Sequence, residues 1–242
     1  MKKRILSNSY PLLPLLLEEK SLSFSYRYLV GIDEAGRGAL AGRLAVAGVV
    51  LPSEKINLIK GGIFFEGKFL PLRDSKKLSS SQRKKWFGWI KKERIIYSTS
   101  FVSPKKIDKL NVAKACNLAA YRLIEKLLRK IKTKKKTDKI LVIADGGIYF
   151  ELNDLERKNS LTLLTFPKAD EKVPAVALAS IVAKVLRDKE MERLHLVYPE
   201  YQFCAHKGYG TKKHFQVLKK IGPSQVHRQS FLRKFFESFK VA

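Results

Sequence analysis

Two apolar stretches of strand length, each closed by an acidic residue, are the feature that most limits how this chain can fold. They read RYLVGID at 27–33 and ILVIAD at 140–145. A strand that is apolar along its length must be covered on both faces, as in a sheet that lies between two layers of helices. A third stretch, GRLAVAGVVLP at 42–52, follows the first after a glycine-rich connection, which predicts a hairpin.

The rest of the chain alternates between strand and helix patterns, which indicates an α/β protein with a mixed sheet. Ser79 and Gln82 form a capping box that opens a helix, Asn111 is a suitable N-cap, and Pro174 is permitted in a first turn. The predicted strands are 27–33, 42–52, 94–103, 140–145 and 161–166, and the predicted helices are about 79–92, 111–131, 173–194, 211–220 and 229–240. Residues 53–71 are expected to be irregular, and 132–139 to form a solvated basic loop.

A large excess of positive charge indicates which kind of molecule the chain binds. The 242 residues include 49 Lys and Arg against 22 Asp and Glu, a formal charge of +27. Self-repulsion of this size opposes compaction and suits a polyanionic partner, of which nucleic acid is the commonest. The alternative is a generally lysine-rich chain that meets RNA only through exposed side chains.

Cysteines and apolar runs indicate the compartment. Cys116 and Cys204 have no zinc spacing and no C-x-x-C spacing, so we expect buried thiols in a reducing, cytoplasmic compartment. Beyond the N-terminus the longest apolar run is 44–51, far short of the ~20 residues that span a bilayer, so no membrane association is expected. Residues 1–26, in which two prolines interrupt the leucines, are interpreted as a short N-terminal extension.

Acidic residues end both of the apolar strands. Asp33 and Glu34 close the first stretch, and Asp145 closes the second. Ligand crevices in α/β sheets lie at the carboxyl ends of parallel strands, where neighbouring strands are ~5 Å apart. Acids this close repel one another unless a Lys, an Arg or a divalent cation lies among them. Asp170, in FPKADEKVP, is either a fourth member of the group or a helix N-terminal acid favoured by the helix dipole.

The histidines bear on which ion such a site would hold. His195, His206, His214 and His227 are scattered along the sequence, and each is interpreted as a packing or phosphate-contacting residue. Without a His or Cys cluster, a hard ion such as Mg²⁺ or Mn²⁺ is expected rather than Zn²⁺. Two such ions can activate water and stabilise the leaving oxygen during phosphodiester hydrolysis. Carboxylates on a basic chain therefore indicate that reaction class.

Six motifs in order resemble those of ribonuclease HII. They are GIDEAGRGALAG at 31–42, DSKKLS at 74–79, ADGG at 144–147, ADEKVPAVALASIVAKVLRD at 169–188, YPEYQFCAHKGYGT at 198–211 and HRQSF at 227–231. The resemblance spans residues 27 to 233 and implies an RNase H-like fold, a central mixed five-stranded sheet flanked by helices, with a C-terminal helical extension. It also implies an endonuclease, dependent on one or two Mn²⁺ or Mg²⁺ ions, that hydrolyses RNA paired with DNA and nicks 5′ of ribonucleotides embedded in duplex DNA.

The resemblance also implies roles for particular residues. The family's catalytic, metal-binding acids match Asp33, Glu34, Asp145 and Asp170, and its glycine–arginine–glycine loop matches Gly36, Arg37 and Gly38. In that loop, backbone amides would approach the 2′-OH that only RNA offers, and the arginine would add a phosphate contact. The family's junction-sensing tyrosine matches Tyr209, although the local sequence fits a core tyrosine equally well.

Other positions are ambiguous or depart from the family pattern. Ser75 and Lys76 either clamp a phosphate or only form the turn before the capping box. Ser180, Lys184 and Asp188 share one helix face, and the last two are interpreted as a structural ion pair. Ala39, Ala169 and Gly147 stand where the family has proline, glycine and asparagine, which affects loop rigidity rather than the carboxylates.

The predicted organisation has three parts. Residues 1–26 form an extension, 27–205 a catalytic domain, and 206–242 a C-terminal helical region that completes the substrate groove. The expected enzyme is a monomer that binds RNA–DNA hybrids and ribonucleotide-containing duplex DNA. Two rivals are a non-catalytic basic RNA-binding protein and an RNase H-fold nuclease of different substrate preference, such as ribonuclease HIII. The intact glycine–arginine–glycine triplet argues against the second.

Overall fold

A computed structural model describes residues 26–59, 61–131, 138–149 and 160–240. The large sheet contains β1 (Tyr28–Ala35), β2 (Leu44–Pro52), β5 (Ile96–Val102), β6 (Ile140–Asp145) and β7 (Leu161–Phe166), and a separate hairpin contains β3 (Gly62–Phe65) and β4 (Lys68–Pro71). The α-helices are α1 (Ser80–Lys92), α2 (Pro104–Leu110), α3 (Val112–Lys130), α4 (Ala169–Lys172), α5 (Pro174–Val197), α6 (Phe203–His206), α7 (Lys212–Ile221) and α8 (Gln229–Lys240). Short 3₁₀ turns lie at Ser53–Lys55, Asn57–Ile59, Ser75–Lys77 and Pro199–Tyr201.

The sheet is mixed and has the strand order β5-β2-β1-β6-β7. β1 pairs antiparallel with β2, as the glycine-rich connection predicts, and β2 pairs antiparallel with β5. β1 and β6 are parallel neighbours, with Ile32 opposite Ala144, and β6 is parallel to β7. The predicted five-stranded mixed sheet is therefore confirmed, and the two acid-ending strands lie side by side.

Helices cover both faces of the sheet, as the apolar strands require. On one face α1 and α5 bury Trp86, Ile90 and Val182 against the strands. On the other face α3 buries Leu123 and Leu127. A third apolar cluster joins α5 to the C-terminal helices through Met191, Phe203, Leu218 and Leu232. Both faces of β1 and β6 are thus sealed from water except at the strand ends.

The approach of α5 to β1 depends on the absence of a side chain at Gly31. A Cβ placed on this residue would lie 2.1 Å from the main-chain carbonyl carbon of Ala175, in the first turn of α5. No real Cβ makes such a contact, so only glycine allows the helix to rest directly on the strand. The start of α5 is thereby brought against the strand that carries the acids.

Sequence signals at helix ends are confirmed. The Ser79 side chain accepts from the Gln82 amide at 3.2 Å, and the Gln82 side chain accepts from the Ser79 amide at 2.8 Å. Asn111 accepts from the Lys114 amide at 3.0 Å and opens α3. Pro174 stands in the first turn of α5.

Several expectations were wrong. Residues 53–71 are not irregular, because β3 and β4 pair around a turn in which Glu66 and Gly67 both have positive φ. Helix α2, capped by Ser103 with Pro104 in its first turn, was not predicted. Cys116 is buried as expected, but Cys204 is exposed, and both thiols are free.

Other predictions are untested. Most of the N-terminal extension (1–25) and of the basic loop (132–137) lies outside the described residues. In the part of the chain that can be examined, no helix has the length and apolar character needed to cross a membrane.

Candidate active site

The acids of β1 and β6 meet at one edge of the sheet. Asp33 follows Ile32, whose partner Ala144 precedes Asp145 on the parallel neighbour β6. The strand register therefore places Asp33 beside Asp145, and Glu34 is the next residue on β1. Asp33 is buried and Glu34 is half-buried. Asp33 and Asp145 occupy the carboxyl ends of parallel strands, where α/β sheets place their ligands.

Asp170 lies in the single turn of α4, at the helix N-terminal position that its local sequence suggests. The amide of Ala169 donates to the Asp145 carboxylate at 2.8 Å, which ties α4 to the end of β6. Asp170 is buried beside Asp74, whose side chain is hydrogen-bonded to it. The sequence reasoning missed Asp74, which also accepts from the Lys76 amide at 2.9 Å.

Crowding of the carboxylates shifts their ionisation. Burial raises the pKa of Asp33 well above its ordinary value, and the charges of Glu34 and Asp145 raise it further. Burial also raises the pKa of Glu34, although Arg37 opposes this shift. The pKa of Asp170 is raised to about 6 by burial, by Asp145 and by Asp74. The site therefore favours added positive charge.

Lys76 supplies part of that charge. Burial lowers the pKa of Lys76, but the carboxylates of Asp74, Asp170 and Asp33 outweigh burial and raise it. Beside it, the hydroxyls of Ser75 and Ser180 are 2.8 Å apart, and Ser180 is also bonded to Asp33. Ser75 and Lys76 thus lie beside the acids, and they also form the turn before α1.

The carboxylates suit a divalent cation chemically, but they do not form a ready cage. Oε2 of Glu34 is buried and has no hydrogen-bond partner among the described residues, so a hard cation would satisfy it. Within the same ranges, no group of three or more His, Cys, Asp or Glu side chains is arranged so that it could hold a metal ion as it stands. The acids instead engage neighbours, such as the Ala169 amide for Asp145. Metal binding would require the acidic side chains to turn toward a common point.

The glycine–arginine–glycine loop borders the same cavity. Arg37 donates to the carbonyl of Gly147 at 2.9 Å and lies 3.4 Å from Oε1 of Glu34. A Cβ on Gly147 would lie 2.4 Å from the Arg37 guanidinium, and the φ of Gly147 is +102°, so its departure from the family pattern gives room to Arg37. A Cβ on Gly38 would meet nothing within 4 Å, so the loop is open on that side.

Nearly all of the predicted site residues line one cavity of about 520 Å³. The lining residues are Asp33, Glu34, Ala35, Gly36, Arg37, Gly38, Ser75, Lys76, Arg83, Asp145, Ser180, Lys184 and Tyr209. Tyr209 is half-buried rather than a core residue, and the Lys184 ammonium lies 5.6 Å from the centre of its ring. Lys184 also pairs with Asp188 at 2.8 Å, as expected. Asp170 is the predicted residue that does not line the cavity.

Comparison with known proteins identifies the family. The family model described as Ribonuclease HII matches residues 30–237. The chain belongs to the ribonuclease HII family. A ribonuclease HII of Caldicellulosiruptor bescii is 40% identical over 217 residues, which cover 90% of this chain and 92% of that protein.

Solved structures of ribonuclease HII relatives share the fold. Ribonuclease H2 from Pyrococcus horikoshii OT3 is 26% identical with a TM-score of 0.62, over 88% of this chain and 99% of that one. A ribonuclease HII of Archaeoglobus fulgidus, solved in complex with PCNA, is 29% identical with a TM-score of 0.61, over 83% of this chain and 93% of that one. The chain is thus a ribonuclease H, a divalent-metal-dependent endonuclease that acts on RNA–DNA hybrids.

Three histidines from the C-terminal part of this ribonuclease HII sequence are neighbours in space. The His206 and His214 rings stack at 4.1 Å, and Nε2 of His214 lies 3.0 Å from Nε2 of His227. All three are buried. Burial lowers the pKa of His214 and of His227 to about 4, and each ring's neighbouring histidine adds to the shift. They are packing residues, as predicted, but they form a cluster rather than scattered contacts.

The hydrogen bonds of this cluster lead to Tyr209. The Ser224 amide donates to Nδ1 of His227 at 3.0 Å, so the His227 proton is on Nε2 and is donated to His214. Nδ1–H of His214 then donates to the Tyr209 carbonyl at 3.0 Å. The Gly208 amide donates to Nδ1 of His206 at 3.2 Å. The neutral histidines therefore hold the segment that carries Tyr209.

Proposed function

We propose that this enzyme nicks duplex DNA on the 5′ side of embedded ribonucleotides, with Asp33, Glu34, Asp145 and Asp170 as its catalytic, metal-binding acids. The observation that carries this proposal is the parallel register of β1 and β6, which sets Asp33 beside Asp145 in a cavity bordered by the glycine–arginine–glycine loop and Tyr209. The shared electrostatics of the acids support the inclusion of Asp170, which lies beside the cavity.

The four acids would hold one or two divalent ions, Mg²⁺ or Mn²⁺. All of the donors are carboxylate oxygens, the ligands that hard cations prefer, and the unpartnered Oε2 of Glu34 supports the choice. When bound, such ions supply the Lewis acidity that phosphodiester hydrolysis needs. Lys76 and the Ser75 hydroxyl would bind the phosphate of the substrate strand, a role supported by their position in the lining of the cavity.

Substrate selection is assigned to the loop and the tyrosine. In the ranges that can be examined, the amides of Arg37 and Gly38 have no acceptor, and the side of Gly38 is open. These amides are available to a 2′-OH, which can accept a hydrogen bond where deoxyribose cannot. Arg37 contributes a phosphate contact when it exchanges its present carbonyl partner. Tyr209, which lines the same cavity, packs on the deoxyribose that follows the ribonucleotide.

The organisation of the chain follows from these roles. Residues 27–205 form the catalytic domain, and 206–242 complete the substrate groove. The hydrogen bonds that the Leu40 and Ala41 amides donate to the Gly208 carbonyl support this contact between the two parts. The substrates are RNA–DNA hybrids and ribonucleotide-containing duplex DNA. We include a monomeric state and a cytoplasmic location in the proposal, the latter supported by the two free cysteines.

Cleavage of a DNA duplex that holds one ribonucleotide tests the proposal. The enzyme should cut once, 5′ of the ribonucleotide, with Mg²⁺ or Mn²⁺, and should leave the all-DNA duplex intact. EDTA should stop cleavage, as it would not for a contaminating metal-independent ribonuclease. Binding without cleavage would favour the non-catalytic RNA-binding protein. Cleavage restricted to a continuous RNA–DNA hybrid would favour the nuclease of different preference.

A further inference from the structure

Two buried arginines from distant parts of the chain hold the glycine–arginine–glycine loop. Arg187 on α5 is 1% exposed, and Arg228, directly before α8, is 0% exposed. Nη1 of Arg228 donates to the Arg37 carbonyl at 2.9 Å, while its Nε and Nη2 donate to the Gly42 carbonyl at 3.2 and 3.0 Å. Nη2 of Arg187 donates to the Ala41 carbonyl at 2.7 Å. The Arg228 guanidinium therefore spans the loop from residue 37 to residue 42.

These contacts are unfavourable as packing alone. In the described part of the chain the acceptors of both guanidiniums are main-chain carbonyls rather than carboxylates, and Nε and Nη1 of Arg187 have no partner. Burial lowers the pKa of Arg228 to about 10, and the charge of Arg187 adds to the effect. Burial lowers the pKa of Arg187 as well. An apolar side chain would fill this space without desolvating a cation. The arginines therefore serve to fix the position of the loop.

Arg187 packs against the glycines at the two ends of the loop. Gly36 and Gly42 have φ angles of +85° and +81°, and a Cβ on Gly36 would lie 2.5 Å from Nε of Arg187. The arginine side chain thus fills the space beneath these glycines. Between them, the amides of Arg37 and Gly38 stay unengaged within the described ranges, in residues that line the cavity.

Arg228 also connects the loop to the segment that carries Tyr209. Its own amide donates to the Leu40 carbonyl at 2.8 Å, and the Leu40 amide donates to the Gly208 carbonyl at 2.8 Å. One residue beyond Gly208 is Tyr209. The loop and the tyrosine are therefore parts of one hydrogen-bonded assembly with Arg228 at its centre.

We propose that Arg228 and Arg187 are positioning residues for ribonucleotide recognition, an inference that rests on the function proposed for the glycine–arginine–glycine loop. Neither touches the substrate. They fix the loop before the substrate arrives, so that its free amides lose little conformational freedom on meeting the 2′-OH. Lysine cannot replace Arg228, because one ammonium on a flexible chain cannot span the carbonyls of Arg37 and Gly42.

Equilibrium binding in EDTA tests the proposal without chemistry. Two duplexes that differ by a single 2′-OH are compared. The measured quantity is the dissociation constant of the all-DNA duplex divided by that of the ribonucleotide-containing duplex. In Arg228→Lys and Arg228→Met, this ratio should fall toward one, by about tenfold where the wild-type preference is that large, while affinity for the all-DNA duplex changes less than about twofold. Arg193→Met removes an exposed arginine from α5 and should keep the wild-type ratio.

The outcomes separate this inference from the function on which it rests. A wild-type enzyme that neither distinguishes the two duplexes nor cuts the ribonucleotide-containing one would refute the proposed function. A wild-type enzyme that distinguishes them, together with a folded Arg228→Lys protein of unchanged ratio, would refute only the positioning role. If neither Arg228 variant folds, thermal melts will show it; Arg228 is then a stability residue and the inference is overturned. Arg187→Lys should reduce the ratio less, because Arg187 makes one loop contact.

Discussion

The two halves of the active site are positioned by different means. The acids Asp33, Glu34 and Asp145 belong to strands whose register and apolar cover fix them. The recognition residues belong to a loop and a turn held by buried polar groups, chiefly Arg228 and the histidine cluster. The catalytic half should therefore respond to changes at the acids and at the close packing of their strands. The recognition half should respond to residues that never meet the substrate.

The largest expected effect comes from the catalytic half. Asp145→Asn should lower the rate of cleavage by about 10³-fold, because one of the charges proposed to bind the cations is lost. Substrate affinity measured in EDTA should hold or increase, since removal of a negative charge does not weaken phosphate contacts. Glu93→Gln, at an exposed carboxylate, is the matched control. A variant that still cleaves at the wild-type rate would remove Asp145 from the site.

Tyr209 gives the next largest effect, and it tests the recognition half. Tyr209→Ala should reduce the preference for an RNA–DNA junction over a continuous hybrid by about tenfold, as expected from the loss of one stacked ring. Tyr209→Phe should retain the preference and lose only part of the rate. Phe64→Ala, which removes an exposed aromatic, should change neither.

The same variant decides between the two roles of the tyrosine. If Tyr209 served mainly as a core residue, its truncation to Ala would lower the melting temperature by several degrees. Unchanged junction preference in a well-folded Tyr209→Ala protein would contradict the recognition role.

Acid pH should destabilise the fold through the histidine cluster that holds the recognition half. His214 and His227 are neutral when folded, with pKa values lowered to about 4, whereas an unfolded histidine takes a proton near its ordinary value of about 6.5. The unfolded state therefore binds more protons between these values, and the contribution of the pair is complete above pH ~6.5 and is lost as pH falls toward ~4.

Thermal melts between pH 7 and pH 4.5 measure this contribution. The wild-type melting temperature should fall by several degrees more than that of His214→Gln, in which one titrating group is gone. Gln216→Ala, at an exposed and uncharged residue of α7, should keep the wild-type slope. Equal slopes for wild type and His214→Gln would show that the cluster does not titrate on unfolding. The acids of the site are common to all three proteins and cancel in the comparison.

The smallest effect should come from charge outside both halves. Affinity for any nucleic acid should fall steeply with salt, because the formal charge is +27. Neutralising Lys134, Lys135 and Lys136, which lie outside the described residues, should weaken all nucleic acids alike, by several-fold at low salt. The slope of log affinity against log salt should drop by about one for each lysine that contacts a phosphate. A loss confined to ribonucleotide-containing duplexes would make this segment part of the recognition half.

The same contrast explains what could be predicted from the sequence. Strand period, apolar cover and strand-end acids are local patterns, so β1, β6 and the position of Asp33 beside Asp145 were within reach. Arg187 and Arg228 lie within the motifs at 169–188 and 227–231, but nothing in those motifs marks the distant carbonyls that the two arginines bind. His206, His214 and His227 come together only through the packing of the C-terminal helices. Four-residue strands with exposed aromatics, as in β3 and β4, give too short a pattern to recognise.

Gly31 links the spacing between β1 and α5 to the geometry of the active site. With only a hydrogen between β1 and the first turn of α5, the helix cannot approach more closely, and any larger residue would move it outward. The same rigid helix carries Ser180 to Asp33 and Arg187 to the carbonyl of Ala41. An outward displacement at Gly31 would therefore be transmitted along α5 to both halves of the site at once. The separation of the acids from the recognition loop is thus a distance set by one missing methyl group, on the strand that carries Asp33.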